Sequence, residues 1–173
     1  VSVYEVGETQ GQVFIAMEFV DGTTLAAWQE RGRRWDEVLQ MYRAAGEGLE
    51  AAHQAGLVHR DIKPANLLVD KEGVVKILDM GLARFEQDKN DNLTARYDKG
   101  AVLGTADFMA PEQVMSSSTV DIRADIYALG VTLYTMINGK PPFGGSSTQK
   151  LVGHQTMKAT SLTAIRREVP KAL

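Results

Sequence analysis

Hydrophobic positions recur along this chain with two periods, and each predicts a different kind of element. "VSVYEV" and "VFIAMEFV" are rich in β-branched and aromatic residues and flank "GETQG", which predicts two strands and a turn at the start. After "DG", the segment "TTLAAWQERG" predicts a short helix capped by Thr23 or Thr24 and stopped near Gly32. In "WDEVLQMYRAAGEGLEAAHQAG", Trp35, Val38, Leu39, Tyr42, Ala45, Leu49 and Ala52 fall at three-and-four spacing. An amphipathic helix is therefore expected from about Asp36 to Gly56. "NLLVD" and "VVKILD" around "KEG" predict a hairpin. Residues 84–103 are polar without a period, and a loop of that length in a compact domain is more often functional than filler. "DIRADIYALGVTLYTMING" is apolar on nearly every side, which predicts a buried central helix from Asp121 to Gly139. "KPPFGGSS" reads as a turn and "STQKLVGHQTM" as a further helix, while the pattern of "KATSLTAIRREVPKAL" completes no element.

Composition narrows the class. The 173 residues suffice for one domain that buries roughly 70% of its unfolded surface. Apolar residues make up 44% and charged residues 24%, as in ordinary globular chains. A net charge of −3 gives no electrostatic reason to expect nucleic acid or an anionic membrane as partner. The absence of cysteine excludes disulfides and thiolate metal sites. No apolar run approaches membrane-spanning length, and the start lacks the basic end and apolar block of a signal peptide. The segment reads as soluble and cytoplasmic, with a flanking membrane anchor left open.

The densest chemistry lies in "HRDIKPANLLVD", His59 to Asp70. Asp61 could accept a proton and Lys63 could neutralise an anion. Asn66 and, across the hairpin, Asp79 offer two hard oxygen ligands of the kind that suits Mg²⁺ with substrate phosphates. A base, a cation and a Mg²⁺ site in one cleft are the parts that phosphoryl transfer needs. Each residue also has a plain structural role to weigh: Asp61 a loop carboxylate, Asp79 a turn cap, Arg60 a bracing cation, Thr94 an exposed threonine. His53 and His59 are poorly spaced for a metal and lack a third soft ligand. His53 then reads as a helix-end residue and His59 as a packed core one, and Met17, Leu25 and Leu68 as apolar core under any fold.

"HRDIKPAN" resembles the catalytic loop of protein kinases, "DMG" their metal-binding Asp-Phe-Gly, and "APE" at Ala110, Pro111 and Glu112 their Ala-Pro-Glu. Order and spacing match as well, through the apolar helix with Asp125. Lys63 two residues after Asp61 is the serine/threonine form of the loop. "GTADFMAPEQ" and "ADIYALGVTLYTMINGKPPF" are similar to the bacterial, eukaryotic-like (Hanks-type) serine/threonine kinases. The resemblance implies an α+β, kinase-like fold, mainly the helical C-terminal lobe with a remnant of the small-lobe sheet and hinge. It implies residues 1–20 as the end of the small lobe and 21–173 as the large lobe. It implies transfer of the γ-phosphoryl of ATP, with Mg²⁺, to serine or threonine of protein substrates. By the same pattern, Asp61 deprotonates the acceptor hydroxyl, Lys63 contacts the transferring phosphate, and Thr105 packs beside both. Asn66 and Asp79 hold magnesium. Met17 becomes the gatekeeper, Glu18 and Val20 bind the adenine edge through their backbones, and Leu25 and Leu68 sandwich the ring. His59 and Met80 join the internal apolar spine, and Asp125 fixes the catalytic loop. Arg60 suggests activation by a phosphate on the long loop, with Thr94 the preferred acceptor and Tyr97 the second choice.

The departures from the family pattern set further expectations. The glycine-rich loop, the "VAIK"-type lysine and its glutamate partner are not in this sequence, nor is the arginine that pairs with Glu112. The chain is therefore expected to be an interior fragment, inactive alone, with apolar surface open to self-association. Met80 stands where phenylalanine is usual and can fill the same space. Phe108 stands where tyrosine is commoner. The rival readings are a pseudokinase acting as a nucleotide-binding or scaffold module, and a small-molecule kinase. "APEQ" and the long loop favour a protein substrate over the latter.

Overall fold

The computed structural model describes residues 1–78, 104–115 and 120–171 of the chain. Asp79, Met80, Thr94, Tyr97 and the whole of the long polar loop, residues 84–103, lie outside the described residues.

Strands β1 (Val3–Thr9) and β2 (Gln12–Met17) pair antiparallel as a two-stranded sheet. Their turn is two residues, Gln10 and Gly11, at φ 51° and 75°. Positive φ at both positions matches the right-handed twist of the strands, so β1 runs further than the expected five-residue turn allows. Past Met17 the pairing carries on by one bond, from Glu18 N–H to Ser2 C=O at 2.8 Å.

A second sheet has the order β3 (Gly22–Thr24), β4 (Leu67–Asp70), β5 (Val75–Ile77), antiparallel throughout. The β4–β5 hairpin is the one the sequence predicts, and β3 is an addition. Three residues are too few to show a period, but Gly22 has a physical reason to be there. A Cβ on it would stand 2.2 Å from the Val69 carbonyl oxygen, so only glycine lets the strands approach.

Helix α1 (Leu25–Gln29) begins where β3 ends, and Thr24 Oγ1 caps it by accepting from Ala27 N–H at 3.2 Å. Helix α2 (Trp35–Gln54) starts with the Glu37 carboxylate accepting from Arg34 N–H. It ends at Gly56, whose φ of 76° closes the last turn onto the Ala52 and His53 carbonyls. Short helix α3 (Pro111–Met115) precedes the central helix α4 (Ile122–Asn138). Asp121 caps α4, and Gly139 at φ 81° ends it. Helices α5 (Ser147–Thr156) and α6 (Leu162–Ile165) follow. α6 and the buried Val169 give the unpatterned tail a role, since Val169 joins the main core.

That core is continuous from α1 to the tail, with Leu25, Val38, Leu49, Leu67, Ile77, Leu129, Leu133 and Ile137 among its members. Each fully buried aliphatic side chain is worth about 1.5–3 kcal/mol, so these contacts fasten the hairpin to α2 and α4. α4 is not buried all round, as its pattern predicts. Ile122 and Ile126 remain 42% and 56% exposed, in a groove beside Leu49 of α2. No helix among the described residues is long and apolar enough to cross a membrane. The described residues are α+β, mainly helical with two small antiparallel sheets, as the sequence predicts.

His154 of α5 is buried between Phe143 and Tyr127, whose hydroxyl lies 2.7 Å from its Nδ1. Burial pushes its pKa below the usual value, outweighing the Ala106 and Asp107 carbonyls and the Asp107 carboxylate, which raise it. Lys150 lies beside that carboxylate, at 2.7 Å. The unfolded chain therefore binds the proton more readily. The stability this residue confers is complete above the unfolded value of about 6.5 and is lost as pH falls below it. Urea melts should show a lower midpoint at pH 5.5 than at pH 7.5, with His154→Gln flattening the difference. An unchanged difference in the variant would assign the pH dependence elsewhere.

Candidate active site

The site is built on the loop between α2 and β4, and its backbone is held from below by a single carboxylate. Asp125, on α4, is completely buried. Its Oδ1 accepts from Arg60 N–H at 2.7 Å, and its Oδ2 from His59 N–H at 2.8 Å. The same Oδ2 lies 2.9 Å from His53 Nε2, which donates, because an ionised carboxylate can only accept. Arg60 sits at φ 70°, in the left-handed region that a side chain disfavours. Its conformation is held from both sides: Asp125 takes its N–H, and Gln113 Nε2 donates to its carbonyl at 2.8 Å. Gln113 Oε1 in turn accepts from Ala110 N–H, which ties the "APEQ" segment to the loop.

His59 continues the frame. Its Nε2 donates to Leu78 C=O at 2.6 Å, and its Nδ1 accepts from Asp61 N–H at 3.2 Å. Both bonds require the neutral ring with its proton on Nε2. Pro64 then forces Lys63 into extended backbone, φ −161° and ψ 162°, and opens a single 3-10 turn at Pro64–Asn66. This bend folds three side chains together. Lys63 Nζ donates to Asp61 Oδ2 at 2.8 Å and to Thr105 Oγ1 at 3.2 Å. Asn66 Nδ2 donates to Asp61 Oδ2 at 2.9 Å and to the Asp61 carbonyl at 2.8 Å. Two charge-assisted or amide bonds thus occupy one oxygen of Asp61, and among the described residues Oδ1 takes no hydrogen bond. Both amide hydrogens of Asn66 point to Asp61, so its Oδ1 is the atom left to act as a ligand. The last bond of the hairpin, Leu78 N–H to Asn66 C=O at 2.9 Å, leads the chain past Asn66 toward Asp79.

Asp61, Lys63, Asn66 and Thr105 are therefore brought together. Leu68 is half-buried in the middle strand of the second sheet. Leu25 is 0% exposed within the core beside Leu67, so it supports the sheet and has no free face for a ring. Met17, expected in the core, is 36% exposed at the end of a sheet that has two strands among the described residues. Glu18 and Val20 lie on the connection from β2 to β3, where neither the Glu18 carbonyl nor the Val20 amide has a partner among the described residues. The Glu18 side chain pairs with Lys76 of β5 and accepts from Ser2 N–H. Lys76, and then Ser2, hold the Glu18 carboxyl below its usual range, and Glu18 raises Lys76 in turn. Asp79 and Thr94 lie outside the described residues.

Comparison with known proteins identifies the family. The sequence model of the protein kinase domain matches residues 1–172. This chain belongs to the protein kinase domain family. It is 38% identical over 153 residues to serine/threonine-protein kinase PknB of Mycobacterium tuberculosis, covering 85% of this chain and 24% of that protein. A probable serine/threonine-protein kinase of Streptomyces coelicolor is 40% identical over 153 residues, covering 85% of this chain and 22% of its own length. A probable serine/threonine-protein kinase of Clostridium perfringens is 38% identical over 176 residues, covering 100% of this chain and 25% of that protein. The chain spans about a quarter of the length of these relatives. It resembles the bacterial Hanks-type serine/threonine kinases as a group.

Two residues of this frame have roles the sequence does not assign. His53 reads there only as a helix-end residue, since its partner is 72 positions away, and Gln113 carries no expectation of its own, since it bridges 53 positions. A histidine in the last turn before "HRD" is the signal that could have pointed to the first. Asp125→Ala leaves the His59 and Arg60 amides without an acceptor, at about 1–3 kcal/mol for each orphaned buried donor. Urea unfolding should show a loss of at least about 2 kcal/mol, and a loss near zero would mean that water replaces the carboxylate.

Proposed function

We propose that this chain carries the catalytic loop of a serine/threonine protein kinase that transfers the γ-phosphoryl of ATP to protein hydroxyls. The observation that carries the proposal is the asymmetry of Asp61. Lys63 and Asn66 hold one of its oxygens, while the other is free to receive a proton. As the acceptor hydroxyl loses its proton to Asp61 Oδ1, its oxygen bonds to the γ-phosphorus and the bond to the bridging oxygen breaks, releasing ADP. Lys63 neutralises charge on the transferring group from its position between Asp61 and Thr105. Thr105 lines the place of the acceptor.

Asn66 Oδ1, left open by the two bonds its amide makes, fits a magnesium ligand, with Asp79 as the second. When bound, Mg²⁺ would neutralise the phosphate oxygens and hold them in line. Nucleotide would meet the Glu18 and Val20 backbones and the half-buried Leu68. We assign residues 1–20 to the small lobe and hinge and 21–173 to the large lobe, acting in the cytoplasm where ATP is present. Arg60 would receive a phosphate on the long loop, with Thr94 as its site and Tyr97 as the second candidate.

Two measurements test this in the natural full-length protein. Asp61→Asn should cut phosphate transfer to Ser or Thr by at least about 10²–10⁴-fold, the usual worth of a positioned base. A near-wild-type rate would remove Asp61 from the mechanism. Nucleotide binding with no transfer by the wild type would instead indicate a binding module. Thr94→Ala should lower the rate and abolish loop phosphate in mass spectrometry, and phosphate retained elsewhere on the loop would displace Thr94 from this role.

A further inference from the structure

A cavity of about 480 Å³ lies beside Lys63, between α1 and the 3-10 turn. Its walls are set by Ala26, Pro64, Ala65 and Phe108, with the Glu30 carboxylate at one side. We propose that this cavity is a specificity pocket for an aliphatic side chain of the peptide substrate, one to three residues from the serine or threonine that is phosphorylated. The proposal rests on the kinase function above and names the substrate class that the site would prefer.

Position is the first support. Lys63 lines the cavity and also bonds Asp61 and Thr105, so the acceptor site and the cavity share a wall. A hydroxyl placed at Asp61 Oδ1 brings its neighbours along, and an extended chain advances about 3.3 Å per residue. A side chain within three residues of the acceptor therefore reaches past Lys63.

Chemistry is the second. Most of the named wall is methyl, pyrrolidine and phenyl surface. The Lys63 ammonium bonds Asp61 and Thr105 and faces the transferring phosphate, so an acidic side chain there would compete with those partners for it. Glu30 is exposed and would repel one. An aliphatic group loses water without leaving a polar partner behind, and the volume lies within the range of about 300–1,000 Å³ usual for ligand pockets. The space exists because residues 26 and 65 are both alanine, each exposed at the cavity. A longer side chain at either position would fill it.

Rigidity is the third. Gln29, the last residue of α1, donates through Nε2 to the carbonyls of Thr135 and Met136 at the end of α4. This pins the α1 wall to the central helix, while the Pro64 turn fixes the opposite wall. A preformed pocket spends little binding energy on ordering its walls.

The test uses the natural full-length protein, Mg-ATP and a set of single-serine peptides. Leu, Ala, Arg or Glu is placed in turn at each of the three positions on either side of the serine. At one position Leu should raise kcat/KM over Ala by about 10-fold or more, with Glu below Ala. Ala65→Phe should erase the Leu advantage, and Ala26→Phe, from the opposite wall, should do the same. Both sites are on the surface, and melting curves of the variants identify any that fail to fold. Transfer that is indifferent to Leu at every position, or a Leu advantage that survives both variants, overturns the pocket while leaving the kinase reading intact. A preference for Glu at the responsive position overturns it too. No transfer to any peptide overturns the kinase reading and the pocket with it.

Discussion

One buried carboxylate organises this protein. Asp125 is fully enclosed in the central helix and spends both its oxygens on a loop that begins 66 positions earlier in the chain. An uncompensated charge at that depth would be costly, so the three donors around it are a condition of its being there. They are also what holds Arg60 in a left-handed conformation that its side chain disfavours. From that bend follow the direction of Asp61, the extended Lys63 and the turn that brings Asn66 back onto the loop. The hydrophobic core sets where α4 lies, and Asp125 converts that placement into the geometry of the site.

The residues above the carboxylate divide the work by which atoms they occupy. Lys63 and Asn66 both bond one oxygen of Asp61, which leaves the other as the one the proposed proton transfer would use. His59 links this loop to the hairpin through Leu78, just before the point where Asp79 follows. Gln113 links it to the segment that carries Thr105 and Phe108. The loop, the hairpin and the "APEQ" segment are thereby fastened to one frame, and the cavity beside Lys63 is bounded by the same turn. The proposed phosphoryl transfer would draw most of its acceleration from positioning and fixed charge, which such a frame can supply.

Much of this was legible in the sequence, for local reasons. α2 and α4 announce themselves by long runs of periodic apolar residues closed by Gly56 and Gly139, both at positive φ. The loop residues were legible because Asp61, Lys63 and Asn66 are within five positions of each other, so a motif captures them. Four features were not. β3 is too short for a period and depends on the glycine that lets Val69 approach. The exposure of Ile122 and Ile126 depends on what packs beside α4, which its own apolar pattern does not encode. His53 and Gln113 act through partners far away in the chain, and Met17 lies in a sheet that has two strands among the described residues, so its burial was not a local property.

The central claim is that Asp125 holds the catalytic loop as a permanent part of the fold. Amide hydrogen exchange at His59 and Arg60, followed by NMR on the native protein, tests it most directly. If the claim holds, both amides exchange as slowly as core amides of α4, since releasing them requires opening the buried carboxylate. Exchange at the rate of exposed turn amides, with the α4 amides still protected, would show that the loop opens freely and that the carboxylate does not hold it.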